Sequence, residues 1–423
     1  MTGPERPPLE GVRIVDLTTF LSGPSATQLL GDLGAEVIKV ESLDGDSSRA
    51  IAGPEVAGQS AYFLANNRNK RSIAIDLKSA QGLDIMKRLI AGADVVIENF
   101  RPGVCARLGI DPEAVTAEHP ALVWASISGF GQQGPLREKP AYDMVVQALS
   151  GVMSLTGHPG APAARLGIPA GDVVAGLYAV IGVVSALRAR SETGRGRIVD
   201  VSMLGGQLAM LSYQALYTFI NQVAPGPQGA GHDSIATYRS FQGADGREFV
   251  VTANTPRMWQ ALCRTLGLDD LITDERFVDA ASRLHNREAL WELLEGRFAE
   301  SSAADWVRRL SAVQVPVAPV KDVLEALTDA RAADDGSIIT VGNGGAGGAE
   351  FENVATPIRF VATAEVESHY PPLLGEHTVD ILVHDLGLSP SDVDALIVDR
   401  VVAAAGTSTP ARSSAPAGVG QPG

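Results

Sequence analysis

The sequence has few cysteines, a deficit of positive charge and no apolar run long enough to cross a membrane. Its two cysteines, Cys105 and Cys263, lie far apart in 423 residues, which predicts reduced thiols in a cytoplasmic protein. Lys and Arg number 34 against 49 Asp and Glu, and the net charge of −15 argues against nucleic acid or an anionic membrane as a partner. The opening segment MTGPERPPLEG offers no signal peptide, and the uncharged run 173–187 is shorter than the roughly 20 residues of a membrane span.

Motifs that mark several common enzyme classes are also missing. GDLGAEV has two glycines but is not G-x-G-x-x-G, which argues against a nicotinamide dehydrogenase. There is no G-x-S-x-G, no H-E-x-x-H and no metal-ligand spacing among the seven histidines, so no metal site is predicted. The glycine-rich stretch 342–350 lacks the Lys-Ser/Thr of a phosphate loop and predicts a flexible turn.

What the chain does contain is an alternation of strand-like and helical segments through its first half. The apolar strand-like runs are 12–17, 37–40, 73–77, 94–100, 122–130 and 197–203, with helical patterns at 27–34 and 82–93. Near-continuous apolar strands separated by helices predict an α/β domain with a mainly parallel, Rossmann-like sheet covered on both faces. Ligands of such sheets bind at the carboxyl ends of the strands.

The composition changes near Phe241, which predicts a second, smaller domain. SFQGADGREFVVTA is typical of a hairpin with its turn at Asp245-Gly246, and helical patterns follow it. A long helix beginning near Leu204 is expected to lead into this domain. The predicted divisions are a large α/β domain at 1–205, a linker at 206–235, a small α+β domain at 236–330, a return linker and the C-terminal part of the large domain at 331–405, and a disordered tail at 406–423.

Asp172 stands at the start of the apolar run, between Gly171 and Gly176. An aspartate there can accept the free N–H groups of a first helical turn, and position alone favours this capping role. A carboxylate at a helix start can also act as a nucleophile. The local sequence leaves both interpretations open.

Positive charge is concentrated in two loops that follow strands. Arg68, Lys70 and Arg71 belong to one loop, and Arg101 and Arg107 belong to the other. Such charges are most often solvated. The alternative is a site for a polyphosphate-bearing ligand such as a nucleotide or coenzyme A.

A series of motifs in this order resembles the class III coenzyme A transferases, the group that includes formyl-CoA, carnitine and bile-acid CoA transferases and the 2-methylacyl-CoA racemases. The resemblance covers about residues 10–398. The blocks that carry it are GVRIVDLTTFLSGP, GDLGAEVIKVE, NNRNKRSIAIDLKS, ADVVIENFRPG, SISGFGQQGP, AYDMVVQALSG, GDVVAGLYAVIG, TGRGRIVDVSM, VPVAPV and PLLGEHT.

The resemblance implies a function for Asp172, which matches the family's nucleophilic aspartate. In the implied mechanism its carboxylate attacks an acyl-CoA thioester, giving an aspartyl anhydride and then an aspartyl-CoA thioester, from which an acceptor carboxylic acid takes CoA. Coenzyme A is then substrate and product, and no permanently bound cofactor is implied. The family also implies a homodimer of two interlocked chains with long linkers between domains.

Other residues match the family's CoA-contacting positions. Ser22 lies in the first loop, Asn99 to Arg101 lie in ENFRPG, and Arg107 matches a phosphate-binding position. The complete set implied by the resemblance is Ser22, Ile75, Asp76, Leu77, Lys78, Asn99, Phe100, Arg101, Arg107, Pro140, Ala141, Tyr142 and Asp143.

Three departures from family patterns bear on the reaction. The racemases place a histidine where this chain has Tyr142 and a glutamate where it has Thr255, and moving an α-proton between faces needs two bases. Both departures favour a transferase. Leu21 stands where formyl-CoA transferases have a glutamine, which argues against formyl or oxalyl specificity. The alternatives are a racemase or intramolecular CoA-transferring isomerase and, from another class, a non-catalytic acyl-CoA-binding protein.

Overall fold

The computed structural model of the chain describes residues 5–342 and 349–406. Most of the glycine-rich stretch predicted as a turn, and all of the predicted tail except Gly406, lie outside the described residues. The chain divides into two compact units. Within the described residues, the first unit comprises the chain up to Val146, Pro169–Gln207 and the chain from Ile339 onward; the second comprises Gln147–Ile168 and Leu208–Ile338.

A seven-stranded sheet forms the centre of the first unit. The strands of the chain are β1 (Arg13–Asp16), β2 (Glu36–Glu41), β3 (Glu55–Val56), β4 (Gln59–Ser60), β5 (Lys70–Ile75), β6 (Val95–Glu98), β7 (Val123–Ser128), β8 (Ile198–Ser202), β9 (Tyr238–Gln242), β10 (Glu248–Thr252), β11 (Val317–Pro319), β12 (Ile338–Val341), β13 (Phe351–Val354) and β14 (Val402–Ala403). The large sheet has the order β14-β5-β2-β1-β6-β7-β8, and all its neighbours are parallel except β14 with β5. The predicted α/β class with a mainly parallel sheet is confirmed.

Helices cover both faces of this sheet. The α-helices are α1 (Ser22–Asp32), α2 (Ala61–Leu64), α3 (Ala80–Ala91), α4 (Val104–Arg107), α5 (Pro112–Glu118), α6 (Asp143–Ser150), α7 (Val152–Leu155), α8 (Ala170–Thr193), α9 (Met203–Met210), α10 (Tyr213–Asn221), α11 (Pro256–Leu266), α12 (Ala280–His285), α13 (Arg287–Phe298), α14 (Ala303–Ala312), α15 (Val323–Ala333), α16 (Thr378–Asp380) and α17 (Pro390–Val398). Short 3-10 turns lie at Ser47–Ala50 and Asp269–Ile272, and a π-helical turn lies at Ile381–Asp385.

The strand residues alternate between two cores because successive side chains of a strand point to opposite faces. Val15, Val96 and Trp124 are fully buried in one core with α3 and α17. Ile14 and Val95 are fully buried in the other with α1 and α8. Each such aliphatic side chain contributes roughly 1.5–3 kcal/mol when it leaves water. The two cores fix the sheet, and thus the loops at its carboxyl edge.

Two glycines let α8 approach its neighbours closely. A Cβ at Gly176 would lie 2.8 Å from the Ser22 carbonyl oxygen on α1, and one at Gly171 would lie 2.9 Å from Asp143 Oδ1. Real Cβ atoms essentially never come this close. The absence of side chains at these positions therefore brings the start of α8 against Ser22 and Asp143.

The second unit contains the three-stranded antiparallel sheet β11-β10-β9 and helices α11, α13 and α14. Gly246 forms the predicted hairpin turn with a φ of 73°. Phe298 packs against Phe241, Phe249 and Trp306 in the core of this unit. It is the smaller α+β arrangement expected from the sequence.

The expected long helix near Leu204 is interrupted. Its residues form α9 and α10, and Ser212 between them has a φ of 49°. A non-glycine residue in this left-handed region cannot continue a right-handed helix, so the chain turns there. The prediction of one continuous helix was wrong at this point.

One helix of the described residues, α8, is long and apolar enough to cross a membrane by length and composition alone. It has 24 residues, and its most apolar window has a mean hydropathy of 1.9. Its Ala175, Ala179 and Val183 are fully buried in the core between α1 and the sheet. Burial of this face against α1 and the sheet is the pattern of a core helix.

Candidate active site

Asp172 is the third residue of α8 and does not cap it. The cap position is Pro169, which makes no side-chain capping bond. The N–H of Gly171 instead donates to Asp143 Oδ1 at 2.7 Å. Asp143 therefore caps the first turn of α8, the role considered for Asp172. The position of the Asp172 carboxylate is not explained by capping.

The Asp172 carboxylate is half-buried and unusually basic. Burial is the main cause that raises its pKa from 3.8 to about 6, the negative charge of Asp143 raises it further, and a hydrogen bond from the Ser22 hydroxyl opposes both. At pH 7 about ten carboxylates are ionised for each one protonated. Asp172 is thus an ionised but poorly stabilised carboxylate, a state that favours reaction as a nucleophile.

Asn99 forms hydrogen bonds that hold the loop between β1 and α1 beside the Asp172 carboxylate. Its side-chain amide accepts from Thr19 N at 2.8 Å, and donates to Thr19 O at 2.8 Å and to Ser22 Oγ at 3.3 Å. The next residue, Phe20, has a φ of 64°, and its N–H donates to Asp46 Oδ1 at 3.2 Å. A phenylalanine in the left-handed region is strained, and such residues persist where their surroundings over-determine them.

A buried ion pair between Lys39 and Asp46 holds the strained loop that contains Phe20. The Lys39 ammonium donates to Asp46 Oδ2 at 2.9 Å and to Thr18 O at 2.8 Å, and both charged side chains are fully buried. The negative charges of Asp16 and Asp46 hold the pKa of Lys39 above its usual range, although burial alone would lower it. Losing either partner would leave an uncompensated buried charge, which is strongly destabilising.

The resulting pocket gathers Asp172 with residues from the loops that follow β1, β6 and β7 and with Tyr62 and Met203 from helices. It has a volume of about 160 Å³. It is lined by Thr19, Phe20, Ser22, Tyr62, Asn99, Phe100, Arg101, Pro102, Ile127, Ser128, Gly129, Arg137, Lys139, Ala141, Tyr142, Asp172 and Met203. Its cations, Arg101, Arg137 and Lys139, outnumber its one carboxylate, which makes it suited to anionic ligands in an otherwise acidic protein.

A second, larger cleft of about 910 Å³ lies at the carboxyl ends of β1, β2 and β5. Its walls include Leu17, Val40, Leu77 and Leu108, and Phe100 lines both this cleft and the pocket of Asp172. A long ligand can therefore pass Phe100 and occupy both spaces.

Most of the residues predicted for the site come together in these two spaces. Ser22, Asn99, Arg101, Ala141 and Tyr142 line the pocket of Asp172. The segment 75–78 lines the larger cleft, so Ile75, Asp76, Leu77 and Lys78 stay together.

Three predicted residues line neither space. Arg107 is exposed on α4, Pro140 is exposed beside Lys139, and Asp143 lies behind Gly171, where it caps α8. Asp143 acts on the site through the pKa of Asp172.

Arg68, Lys70 and Arg71 do not form a ligand site, and Lys70 and Arg71 begin β5 rather than lying in the predicted loop. Arg68 pairs with Asp32 at 2.6 Å, and Lys70 pairs with Asp16 at 3.1 Å. Arg71 pairs with Glu36, Asp380 and Asp385. These charges hold parts of the first unit together, whereas the guanidinium groups of Arg101 and Arg107 have no hydrogen bond or ion pair within residues 5–342 and 349–406.

Sequence reasoning missed Tyr62, Arg137 and Lys139. Tyr62 belongs to the short α2, where a lone tyrosine carries no motif. Burial raises its pKa, and the Asp172 charge raises it further, which shows that the two groups are close. The available signal was the pair of cations Arg137 and Lys139, two residues apart in the glycine-containing segment that follows β7.

No group of three or more His, Cys, Asp or Glu side chains in the described part of the chain is arranged to hold a metal ion. A half-buried carboxylate of raised pKa, a pocket lined by cations and an adjoining elongated cleft on an α/β fold form a candidate active site for an anionic ligand. The chain belongs to CoA-transferase family III, whose sequence profile matches residues 9–378. The resemblance found in the sequence is thereby confirmed.

Individual relatives extend over most of the chain. Succinyl-CoA:glutarate CoA-transferase of Mus musculus is 35% identical over 396 residues, covering 93% of this chain and 90% of that protein. Acetyl-CoA:oxalate CoA-transferase of Acetobacter aceti is 41% identical over 329 residues, covering 77% and 84%. A crystal structure of a CAIB/BAIF family protein from Brucella suis superimposes with a TM-score of 0.79 at 36% identity, covering 89% and 99%.

Proposed function

We propose that this chain moves coenzyme A from an acyl-CoA to an acceptor carboxylic acid, with Asp172 as the nucleophile. The observation that carries the proposal is the half-buried Asp172 carboxylate, with its pKa of about 6, in a pocket lined by three cations. A carboxylate that is ionised but weakly solvated loses little hydration when it attacks a carbonyl carbon.

The proposed chemistry proceeds in four balanced steps. The Asp172 carboxylate attacks the thioester carbonyl and expels CoA thiolate, leaving a mixed anhydride. The thiolate attacks the aspartyl carbonyl of the anhydride, releasing the donor carboxylate and forming an aspartyl-CoA thioester. The acceptor carboxylate then attacks this thioester, giving a new anhydride and CoA thiolate. The thiolate finally attacks the acceptor acyl carbon, which frees the new acyl-CoA and regenerates the Asp172 carboxylate.

In this proposal the predicted residues that line the pocket or the larger cleft bind CoA. Ser22 and Asn99 hold the first loop and the aspartate, Phe100 and Arg101 guide the pantetheine arm, and residues 75–78 receive the adenine end. Tyr142, with two-thirds of its surface exposed, contacts Phe20 edge to face at the mouth of the pocket. No permanently bound cofactor is required by these steps.

We propose dicarboxylic acids as the acid substrates. The two named relatives act on glutarate and succinyl-CoA, or on oxalate. Lys139 and Arg137, which pairs with Glu138 at 2.9 Å, line the pocket in addition to Arg101, so a second carboxylate of the acid can meet a cation there. The racemase alternative is less favoured, because no histidine lines this pocket in the described part of the chain.

Trapping of the covalent intermediate tests the proposed nucleophile. Incubation with succinyl-CoA followed by hydroxylamine should leave a hydroxamate on Asp172, located by peptide mass spectrometry. Asp172→Ala should give no adduct and no exchange with any acid of a carboxylate panel, while still binding CoA. An adduct on another carboxylate, or exchange by the Ala variant, would refute the role of Asp172.

We also propose that the active form is a homodimer. Val173, Leu177, Ile181 and Val184 follow a helical spacing on α8 and are 38–59% exposed, an apolar stripe that an isolated chain would leave in water. A second copy is the proposed occupant because family resemblance implies interlocked chains. Light scattering should show monomers for Ile181→Glu. The control Val398→Glu, at an exposed valine of α17, should remain a dimer. A dimer that persists in Ile181→Glu would place the interface elsewhere.

The buried, unpaired Cys105 and Cys263 support a cytoplasmic location, which completes the proposal. Burial raises the pKa of both thiols, so neither is a reactive thiolate at neutral pH.

A further inference from the structure

Arg400 lies on the larger cleft, although no sequence motif marks it. The C-terminal strand β14 pairs antiparallel with β5 through Val402 and Ile75, and Asp76 N donates to Val401 O at 2.8 Å. Continuing the register by two residues from the pair Val402 and Ile75 brings Arg400 to the position of Leu77, next to Lys78. Arg400, two residues before β14, thus places a cation at the carboxyl end of β5, a strand that is distant from it in the sequence.

The Arg400 side chain is available to a ligand. It is exposed, it lines the cleft, and its guanidinium has no hydrogen bond or ion pair within the part of the chain that the structure describes. The Lys78 ammonium also lines the cleft and has no hydrogen bond or ion pair among the described residues. The buried acids of the cleft are already neutralised inside the fold, Glu41 by Arg49 at 2.7 Å and Asp46 by Lys39.

The turn that presents Arg400 is held by the backbone. Arg400 has a φ of 57°, and its N–H donates to Ile397 O at 3.0 Å, while Val401 N donates to Leu396 O at 2.9 Å. Glycine adopts this left-handed conformation at lower cost than arginine. An arginine here is thus not explained by the needs of the turn.

The sheet order indicates which end of CoA would reach this cation. Phe100 follows β6 and borders the pocket of Asp172, whereas Arg400 precedes β14 at the sheet edge. Four strand spacings separate β14 from β6, a distance of about 19 Å. A CoA thioester whose acyl carbon is at Asp172 and whose arm passes Phe100 would therefore extend its nucleotide end toward Arg400.

We propose that Arg400, together with Lys78, binds the 3′-phosphate of the CoA nucleotide and makes the site selective for CoA over 3′-dephospho-CoA. The inference rests on the proposed function. The neighbouring Asp44, Asp76 and Asp399 also line the cleft, and their negative charges would repel a phosphate that had no cation beside it. The two cations are thus needed specifically for the phosphorylated ligand.

Titration calorimetry with CoA and with 3′-dephospho-CoA tests this assignment. The wild-type chain should bind CoA about 5- to 10-fold more tightly, as expected for two charged contacts at a solvent-exposed site. In Arg400→Gln this ratio should fall to about twofold or less, through weaker binding of CoA alone. Arg400→Gly should give the same loss with an unchanged or higher melting temperature, because glycine suits the positive φ.

Arg188→Gln provides the matched control, since Arg188 is an exposed arginine of the same unit that pairs with Glu192 on the outer part of α8. It should leave both affinities unchanged. Equal losses of affinity for CoA and 3′-dephospho-CoA in the Arg400 variants would assign Arg400 to the pyrophosphate or to folding. Unchanged affinities would show that Arg400 does not contact the ligand. Either result overturns the proposal. The proposed function is judged separately, by CoA exchange and adduct trapping in the wild-type chain.

Discussion

Replacing Asp172 by asparagine should abolish CoA transfer and at the same time stabilise the folded chain. The folded pKa of about 6 lies above the ordinary value of 3.8, so ionisation of Asp172 at neutral pH opposes folding. The difference corresponds to up to about 3 kcal/mol at pH 7 and above. Asparagine has nearly the same shape but carries no charge, which relieves both the burial of the charge and its repulsion by Asp143.

The pH dependence of this gain provides a signature. Between pH 4 and 6 Asp172 binds more protons in the folded chain than in the unfolded chain, so its contribution to stability falls as pH rises through this window and is level above it. The advantage of Asp172→Asn should therefore be largest above pH 6 and disappear near pH 4. A neutral cap or a packing effect would not follow this course.

Chemical denaturation at pH 4, 5, 6, 7 and 8, together with exchange assays, provides the measurement. Asp84→Asn, at an exposed aspartate of α3, is the matched control and should change neither stability nor exchange. A destabilised Asp172→Asn would mean that the carboxylate supports the fold. A variant with near-normal exchange would show that Asp172 is not the nucleophile.

Three further predictions follow from the same geometry. The wild-type kcat/KM should fall on the acidic side with a midpoint near pH 6, so that its value at pH 5 is about one tenth of that at pH 7; a flat profile over this range would contradict an ionised Asp172. Arg101→Ala should raise the KM for CoA esters more than it lowers kcat, and more than Arg107→Ala does, because only Arg101 lines the pocket; steady-state kinetics that rank them in the opposite order would favour Arg107 as the phosphate contact. Gly176→Ala should cost about 1–3 kcal/mol in denaturant unfolding, because its Cβ would lie 2.8 Å from the Ser22 carbonyl oxygen; an unaffected variant would show that α1 and α8 separate easily.

The parallel sheet could be predicted because its central strands are continuous apolar runs separated by helices. Trp124, for example, lies in the uncharged run 122–130, Val96 lies in the apolar segment 95–97, and both side chains are fully buried. The edge strand β14 could not be predicted in the same way, since two residues carry no periodicity and their pairing with β5 depends on tertiary contacts. The interruption at Ser212 was missed for a related reason: the local sequence contains neither glycine nor proline at the break.

The candidate site was predictable where a family motif or a continuous segment carried it, as for Asp172 and residues 75–78. The pairing of Arg68 with Asp32 was not, because partners more than a turn apart in the chain leave no local pattern. Tyr62 was missed because a single tyrosine on a short helix is chemically unremarkable until its neighbours are known. Arg400 belongs to the same group.

The position of β14 has a consequence for biosynthesis. Its partner β5 leaves the ribosome early, whereas β14 follows only after the whole second unit has been translated. During that interval the edge of β5 has unpaired backbone N–H and C=O groups, the kind of edge at which nascent chains associate wrongly. Completion of the cleft between β5 and β14 therefore waits until β14 has been translated, and a ribosome stalled before β14 would hold a chain whose sheet is still open.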